Sequence, residues 1–371
     1  MIQAQDIEAT MERVVNKMKI RFEEIKERKE IVLDEESLGF GKIFADYMLE
    51  MDYDPERQWH DPRIVPYHPL QLNPECMVFH YAQEIFEGLK AYRCDDGSVN
   101  LFRVDLNAER FYNSAVRMAI PPIDKEIFIE CIKAYADKVR DWIPEKFGNS
   151  LYLRPFIIAT DNGLGVHASK TYRFIVIASP SASYFASGLE PVDIYVEEKD
   201  IRSAPGLTGF AKCGGNYAIS IKASEEAKEN GYSQVLWLDG IEHKYVEEVG
   251  SMNIFFMIDK ELYTADCTGT VLPGITRQSI LDICKEKNIR VHIGKLEIKD
   301  VMEAGKKGTL NEVFGCGTAA VISPVGKLTY KDESVIINEH RTGTFSKELF
   351  ETLTSIQWGK IEDPYGWIIK I

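Results

Sequence analysis

GLTGFAKCGGNYAIS, residues 206–220, sets four glycines around a single lysine, Lys212. Glycine at this density frees the backbone and lets it approach a ligand closely. A lysine held there becomes a nucleophilic amine if burial lowers its pKa. A Gly-rich turn carrying a solvated lysine fits the composition equally well. The stretch has neither the GxxxxGK[ST] spacing of a P-loop nor the GxGxxG of a dinucleotide fold.

Three further segments carry chemistry of their own. VLPGITRQSILDI (271–283) runs from a strand-like end through Pro273-Gly274 into a helix beginning near Thr276. Free N–H groups at Ile275 and Thr276, with the helix dipole, favour an anion there. Taken alone, the segment reads as an ordinary loop-to-helix junction. VFGCGTAAVISP (313–324) can offer backbone N–H groups and the Thr318 hydroxyl to an anion, or can be a strand ending in a glycine turn. YVEEVGSMNIFF (245–256) places Glu247 and Glu248 before an apolar strand. Strand alternation turns one of the two inward, and a buried carboxylate needs a cationic partner. Both being surface residues is the even alternative. Together, an amine, a buried carboxylate, helix-terminal N–H groups and a glycine–threonine turn match the needs of pyridoxal phosphate.

The composition limits the alternatives. The chain has 371 residues, 44 Lys plus Arg and 58 Asp plus Glu, for a net charge of −14. That charge repels phosphate backbones, so a nucleic-acid binder relying on bulk positive charge is excluded. A 45% hydrophobic fraction excludes disorder as the main state, and the length suits two domains. The apolar runs are strand-sized, far short of the ~20 residues of a transmembrane helix. The N-terminal stretch is mixed and charged, unlike a secretory signal. The seven cysteines are scattered, with no CxxC, so neither zinc nor a disulfide framework is indicated. Reduced thiols in a cytoplasm are the simplest reading. No metal site is expected.

The spacing predicts a peripheral helix over 11–30 and a long irregular loop over 51–75. It predicts a short strand at 101–104 and helices over 105–119 and 125–143. Strands follow at 152–160 and 172–179. Residues 179–191, SPSASYFASGLEP, read as a linker. Beyond it come strands in VDIYVEE, QVLWLD, YVEEVGSMNIFFMID and ELYTAD, and helices over 219–230, 276–288 and 299–308. The class is α/β or α+β, without the regular βαβ alternation of a doubly wound sheet.

EIFEGLKAYR, LFRVDLNAERF, YLRPF, GFAKCGGNYA, EEVGSMNIFF, LPGITRQSIL and FGCGTAAVISPV resemble the branched-chain amino-acid aminotransferases of pyridoxal-phosphate fold type IV. The resemblance runs from about Tyr53 onward, with the motifs in the family's order. It implies the two-domain D-amino-acid aminotransferase-like fold, with the cofactor between the domains. The domains expected are 1–180, a loop at 181–190, and 191–371 carrying the Schiff-base lysine. It implies ping-pong transamination of L-leucine, L-isoleucine and L-valine with 2-oxoglutarate.

By the motif KxGGNY, the resemblance makes Lys212 the Schiff-base lysine and proton shuttle, and Tyr217 the partner of the cofactor's phenolic oxygen. Glu248 becomes the partner of the pyridine nitrogen, and Glu247 faces away. Arg110 matches the phosphate-binding arginine; from the residues alone it is a solvated helix arginine. Ile275, Thr276 and Thr318 would hold the phosphate, Leu272 would pack on the ring, and Ser251 would place a hydroxyl nearby. Phe86, Tyr81, Tyr152 and Tyr184 would line the substrate pocket, with Tyr81 offered to its own or a neighbouring subunit. Ala319 and Ala320 would bind the α-carboxylate through their N–H groups. Arg154 would meet the side-chain carboxylate of glutamate; a structural ion pair is its alternative.

Animal relatives carry a redox CxxC just after the GTA turn. Here those positions are Ala320 and Ser323, which removes that form of regulation. Cys213 and Cys316 read as small packing residues. The first ~50 residues receive no site role. Family members are at least dimers, so a homodimer or larger homo-oligomer is expected. D-amino-acid aminotransferases and aminodeoxychorismate lyases share the lysine and glutamate and form the nearest alternative. A non-catalytic phosphate-ligand-binding protein is the more distant one.

Overall fold

The computed structural model describes residues 19–28, 31, 33–182 and 189–371. The chain divides into two compact units, Met1–Ala182 with Asp363–Ile371, and Ser183–Glu362.

The first unit is a mixed sheet carrying helices. Its strands are β1 (Arg21–Phe22), β2 (Tyr47–Asp54), β3 (Gln58–Pro66), β4 (Glu84–Phe86), β5 (Leu89–Arg93), β6 (Val99–Phe102), β7 (Ser150–Ala159) and β8 (Tyr172–Ser181), joined by the last strand of the chain, β18 (Ile368–Lys370). The order is β1-β3-β2-β8-β7-β5-β6-β18, with β4 on β7. The helices are α1 (Met77–Tyr81), α2 (Val104–Arg117) and α3 (Lys125–Lys138). The Asp124 side chain caps α3 by accepting from the Glu126 N–H at 3.0 Å. Phe111 of α2, Phe128 of α3 and Phe174 of β8 meet with ring centroids 5.0–5.9 Å apart. All three are buried, each contributing roughly 1.5–3 kcal/mol.

Two expectations are corrected here. The loop over 51–75 is largely the hairpin β2–β3, paired from Tyr47↔Pro66 to Asp54↔Gln58. Its charged residues form a lateral network: Arg63 pairs with Glu50 at 2.9 Å and Asp52 at 2.7 Å, and Arg173 with Asp52 at 2.8 Å. Polar composition therefore marks an ion-paired sheet face. A register shift between Glu50 and Asp52 accommodates Pro62. In the helix expected over 11–30, residues 11–18, 29 and 30 lie outside the described residues. Arg21–Phe22 is instead a strand, parallel to β3.

The second unit has strands β9 (Val192–Val196), β10 (Gln234–Leu238), β11 (Val246–Val249), β12 (Met252–Ile258), β13 (Glu261–Thr264), β14 (Val291–Ile293), β15 (Leu310–Gly317), β16 (Val321–Tyr330) and β17 (Glu333–Ile336). Its helices are α4 (Gly214–Ala218), α5 (Ile221–Glu229), α6 (Ile275–Glu286), α7 (Ile298–Lys307) and α8 (Thr344–Gln357). The sheet runs β11-β10-β9-β16-β15-β12-β13-β14, and an additional β11–β12 pairing closes six strands into a ring. Ile194, Leu236, Val246, Ile254, Val313 and Leu328 share one core with Ile298 and Val301 of α7.

The strand expected across 245–259 is a hairpin. Gly250 turns it at φ +56°, where a Cβ would also overlap the Gln234 side chain. The domain expected over 191–371 ends early. Residues 363–371 belong to the first unit, where Ile369 pairs with Leu101.

Candidate active site

In the second unit, Lys212 precedes the one-turn helix α4, which carries Tyr217. That turn brings the Lys212 amine to the Tyr217 hydroxyl, Nζ to Oη 2.7 Å. Asn216 ties the segment down, donating to the carbonyls of Thr208 and Ala211 at 2.8 Å each. The glycines here serve a held loop rather than a free turn. A small recess beside it is lined by Tyr217, Asn216, Arg202, Glu248, Ser251 and Leu272.

Glu247 and Glu248 are both buried, at 7% and 3% exposure, so neither is a surface residue. They occupy successive positions of β11 with different partners. Glu248 Oε2 pairs with Arg202 Nη2. Its Oε1 accepts from Asn253 Nδ2 at 3.2 Å and from the Leu272 N–H at 3.3 Å. Burial pushes the Glu248 carboxyl up to about 7, against the Arg202 charge and the Leu272 N–H. Glu247 Oε1 instead accepts from the Thr270 hydroxyl at 2.5 Å. Burial raises that carboxyl too.

Helix α6 begins at Ile275 with Gly274 as its N-cap, and no side chain caps it. Ile275 and Thr276 are buried in its first turn. A Cβ on Gly274 would overlap the Asn253 amide oxygen, so glycine lets the helix start approach the residue that holds Glu248. Thr318, Ala319 and Ala320 form the turn between Gly317 and Val321, which pair across β15 and β16. Val321 has φ +62°. For a β-branched residue that conformation costs on the order of 1–3 kcal/mol. The turn is thus held in a shape the local sequence does not prefer.

In the first unit, Arg110 of α2 is 7% exposed and not solvated, unlike its reading from residue type alone. It meets Glu87 twice, Nε to Oε1 at 2.6 Å and Nη2 to Oε2 at 2.9 Å. Asn107 Nδ2 adds a bond to Glu87 Oε2 at 2.7 Å. Separately, Arg154 lies against two rings, 4.7 Å from the Phe86 centroid and 5.3 Å from that of Tyr152. Its Nη2 reaches the Tyr152 hydroxyl at 3.2 Å, and its Nε is buried without a hydrogen-bond partner among the described residues. No described carboxylate forms an ion pair with it, so the structural-pair alternative fails among those residues.

The structure therefore brings together Lys212 with Tyr217, Glu248 with Leu272, and Phe86 with Tyr152 and Arg154. It places Tyr81 at the end of α1, its hydroxyl donating to the Leu164 carbonyl. Ser251 is exposed on the β11–β12 turn. Tyr184 lies outside the described residues. Cys213 and Cys316 are buried and free, and burial pushes the Cys316 thiol up. Among the described residues, no group of three His, Cys, Asp or Glu could hold a metal, and no helix is long and apolar enough to cross a membrane.

Sequence reading missed Arg202, Asn253, Thr270 and Glu87. The need for a cation beside Glu248 was a signal, but nothing local selects Arg202 from the other arginines. The residues found fit pyridoxal phosphate. They include an amine in contact with a phenol, a carboxylate buried with a cation, and an uncapped helix start.

The family model described as amino-transferase class IV matches residues 84–328. Branched-chain-amino-acid transaminase 1 of Bacillus subtilis (strain 168) is 49% identical over 339 residues, covering 91% of this chain and 95% of that protein. The crystal structure of the Escherichia coli branched-chain amino acid aminotransferase is similar at a TM-score of 0.72 and 28% identity, over 87% of this chain and 98% of that one. The branched-chain amino acid aminotransferase of T.th., complexed with N-(5'-phosphopyridoxyl)-L-glutamate, gives 0.70 at 26% identity, over 86% and 97%.

Proposed function

The chain belongs to the amino-transferase class IV family, and from that premise we propose how its residues divide the work of a branched-chain-amino-acid transaminase. The enzyme moves the amino group of L-leucine, L-isoleucine or L-valine to 2-oxoglutarate, with pyridoxal 5'-phosphate as cofactor. The observation that carries this reading is the Lys212–Tyr217 contact beside a buried, ion-paired Glu248, on a chain 49% identical to a transaminase.

When bound, pyridoxal phosphate supplies a carbonyl carbon that takes the amino group and a ring that withdraws electrons from the substrate Cα. Lys212 would hold the cofactor through its amine. Its amine would also serve as the base that takes up and returns the substrate's Cα proton. Tyr217 keeps that amine oriented through the 2.7 Å bond and donates to the phenolic oxygen. Glu248 keeps a proton on the ring nitrogen. Ile275 and Thr276 bind phosphate through backbone N–H groups, where the helix dipole favours an anion. Arg110 adds a guanidinium and Thr318 a hydroxyl. Leu272 supports the ring face, and Ser251 supplies a further hydroxyl.

Specificity follows from Arg154 and its aromatic neighbours. Leucine contacts the faces of Phe86 and Tyr152, with Tyr81 and Tyr184 completing the apolar wall. The carboxylate of glutamate pairs with the Arg154 guanidinium. Ala319 and Ala320 give backbone N–H groups to the α-carboxylate common to both substrates. One pocket thus serves both halves of a ping-pong cycle. Six of the seven cysteines are buried and all are free, which supports a reducing cytoplasm. The enzyme works as a homodimer or larger homo-oligomer.

The test is the visible absorption of the purified holoenzyme before and after L-leucine, with no oxo acid present. Loss of the yellow band, with release of the 2-oxo acid, is the expected result. Bleaching by D-alanine instead would redirect the substrate assignment. A protein that takes up no pyridoxal phosphate would overturn the whole reading.

A further inference from the structure

We infer that Arg202 is a positioning residue for amino transfer: it holds the Glu248 carboxylate ionised and aimed, and so acts on the cofactor's ring nitrogen without touching the cofactor. The inference rests on the reading of Glu248 as the ring-nitrogen partner.

The geometry is specific. Glu248 is 3% exposed and Arg202 8%. Arg202 Nη2 reaches Glu248 Oε2 and also donates to the Thr270 carbonyl at 2.5 Å. A weaker bond runs from the same nitrogen to the Gly209 carbonyl at 3.4 Å. A Cβ at Gly209 would collide with Ser203 and the Thr270 carbonyl, so the loop closes on Arg202 only with glycine there. Glu248 Oε1 is held by the neutral donors of Asn253 and Leu272. One oxygen thus faces a permanent cation and the other faces dipoles.

The charges around Glu248 explain why the cation matters. Arg202 and Lys212 favour its ionised form, and Glu247 on the same strand opposes it. The thiols of Cys267 and Cys316 also lie in its field. Arg202 alone among these is in ion-pair contact. A carboxyl buried without a cation keeps its proton. A protonated Glu248 offers no charge to stabilise a proton on a ring nitrogen. Arginine suits the task because it does not lose its charge.

Arg202 also joins the two carboxylates. Thr270 accepts from Arg202 through its carbonyl and donates to Glu247 through its hydroxyl. The cation is therefore anchored by the element that holds the neighbouring acid, so its position does not depend on Glu248 alone.

The test uses holoenzyme loaded with cofactor labelled with ¹⁵N in the ring, whose chemical shift reads ring protonation directly. Arg202→Met should lower the pH at which the ring nitrogen loses its proton by at least about one unit, a tenfold change in protonated fraction. Arg202→Lys should lie between, since a shorter ammonium serves Glu248 and Thr270 less well. If Arg202→Met does not fold, Arg202→Lys decides. An unchanged titration in every folded variant, while Glu248→Gln shifts it, overturns the role of Arg202 and leaves that of Glu248. An unchanged titration in Glu248→Gln overturns both. Single-turnover reaction with L-leucine should slow in parallel with the ¹⁵N shift.

Discussion

Glu87 and Arg110 face each other as a buried two-point pair, with both carboxylate oxygens accepting from the guanidinium at 2.6 and 2.9 Å. Glu87 is 0% exposed. Its remaining capacity is taken up by Asn107 and the Gly88 N–H. Arg110 therefore cannot swing freely, and the pair sets the direction of its guanidinium.

Removing one partner strands the other. Glu87→Ala should cost about 3–5 kcal/mol of stability, seen in denaturant unfolding of the apo-protein. Glu87→Gln keeps the shape without the charge and should cost less. It should also weaken pyridoxal phosphate binding, measured by equilibrium titration. Unchanged cofactor affinity in Glu87→Gln would remove Glu87 from the phosphate site.

Lys212→Ala should abolish covalent attachment of the cofactor, checked by mass spectrometry after borohydride reduction. Turnover should fall by at least about 10⁴-fold, since one amine serves as anchor and as proton carrier. Noncovalent cofactor binding should persist through Glu248, Arg110 and the α6 N-terminus.

Arg154→Leu should separate the two half-reactions. Losing a charge-assisted hydrogen bond costs about 1.5–3 kcal/mol. The kcat/KM for 2-oxoglutarate should thus fall roughly 10- to 150-fold. The value for L-leucine should change far less. Equal losses for both substrates would contradict the division of the pocket.

Gly88→Ala tests the same pocket through the backbone. A Cβ there would overlap the Tyr152 hydroxyl, displacing the ring from Arg154. The expected phenotype is a raised KM for both substrates with an intact cofactor spectrum.

Asp52 provides a pH test away from the site. Burial pushes its carboxyl up, but the Arg173 hydrogen bond and the charges of Arg173 and Arg63 hold it below the ordinary value. Its contribution is therefore complete above the unfolded carboxylate pKa and is lost as pH falls through the folded one. Asp52→Asn should destabilise the protein by about 1–3 kcal/mol at pH 7. The gap to wild type should close in acid, below the ordinary carboxylate range, as shown by parallel melts.

The sequence was most legible where chemistry is local. Lys212 and Tyr217 are five residues apart on one Gly-rich turn, and their contact follows from that turn. Helices α2 and α6 lie where the apolar spacing put them. Pairings distant in the chain were not legible. Arg202 and Glu248 lie 46 residues apart in the sequence, and a carboxylate's need for a cation does not say which cation. The β2–β3 hairpin was hidden because its alternate positions carry ion pairs rather than apolar residues. Arg110 was misread from its type because its neutralising partner sits on another element.

Strand β18 pairs with β6 after the chain has traversed the whole second unit. Domains generally fold as units in the order they leave the ribosome, N-terminal first. Here that order is reversed in part. Up to Glu362 the second unit has all its residues, while the first still lacks its edge strand. The earlier-made unit therefore keeps β6 unpaired on that side until residues 368–370 follow. A chain truncated after Glu362 should show a second unit that resists protease better than the first.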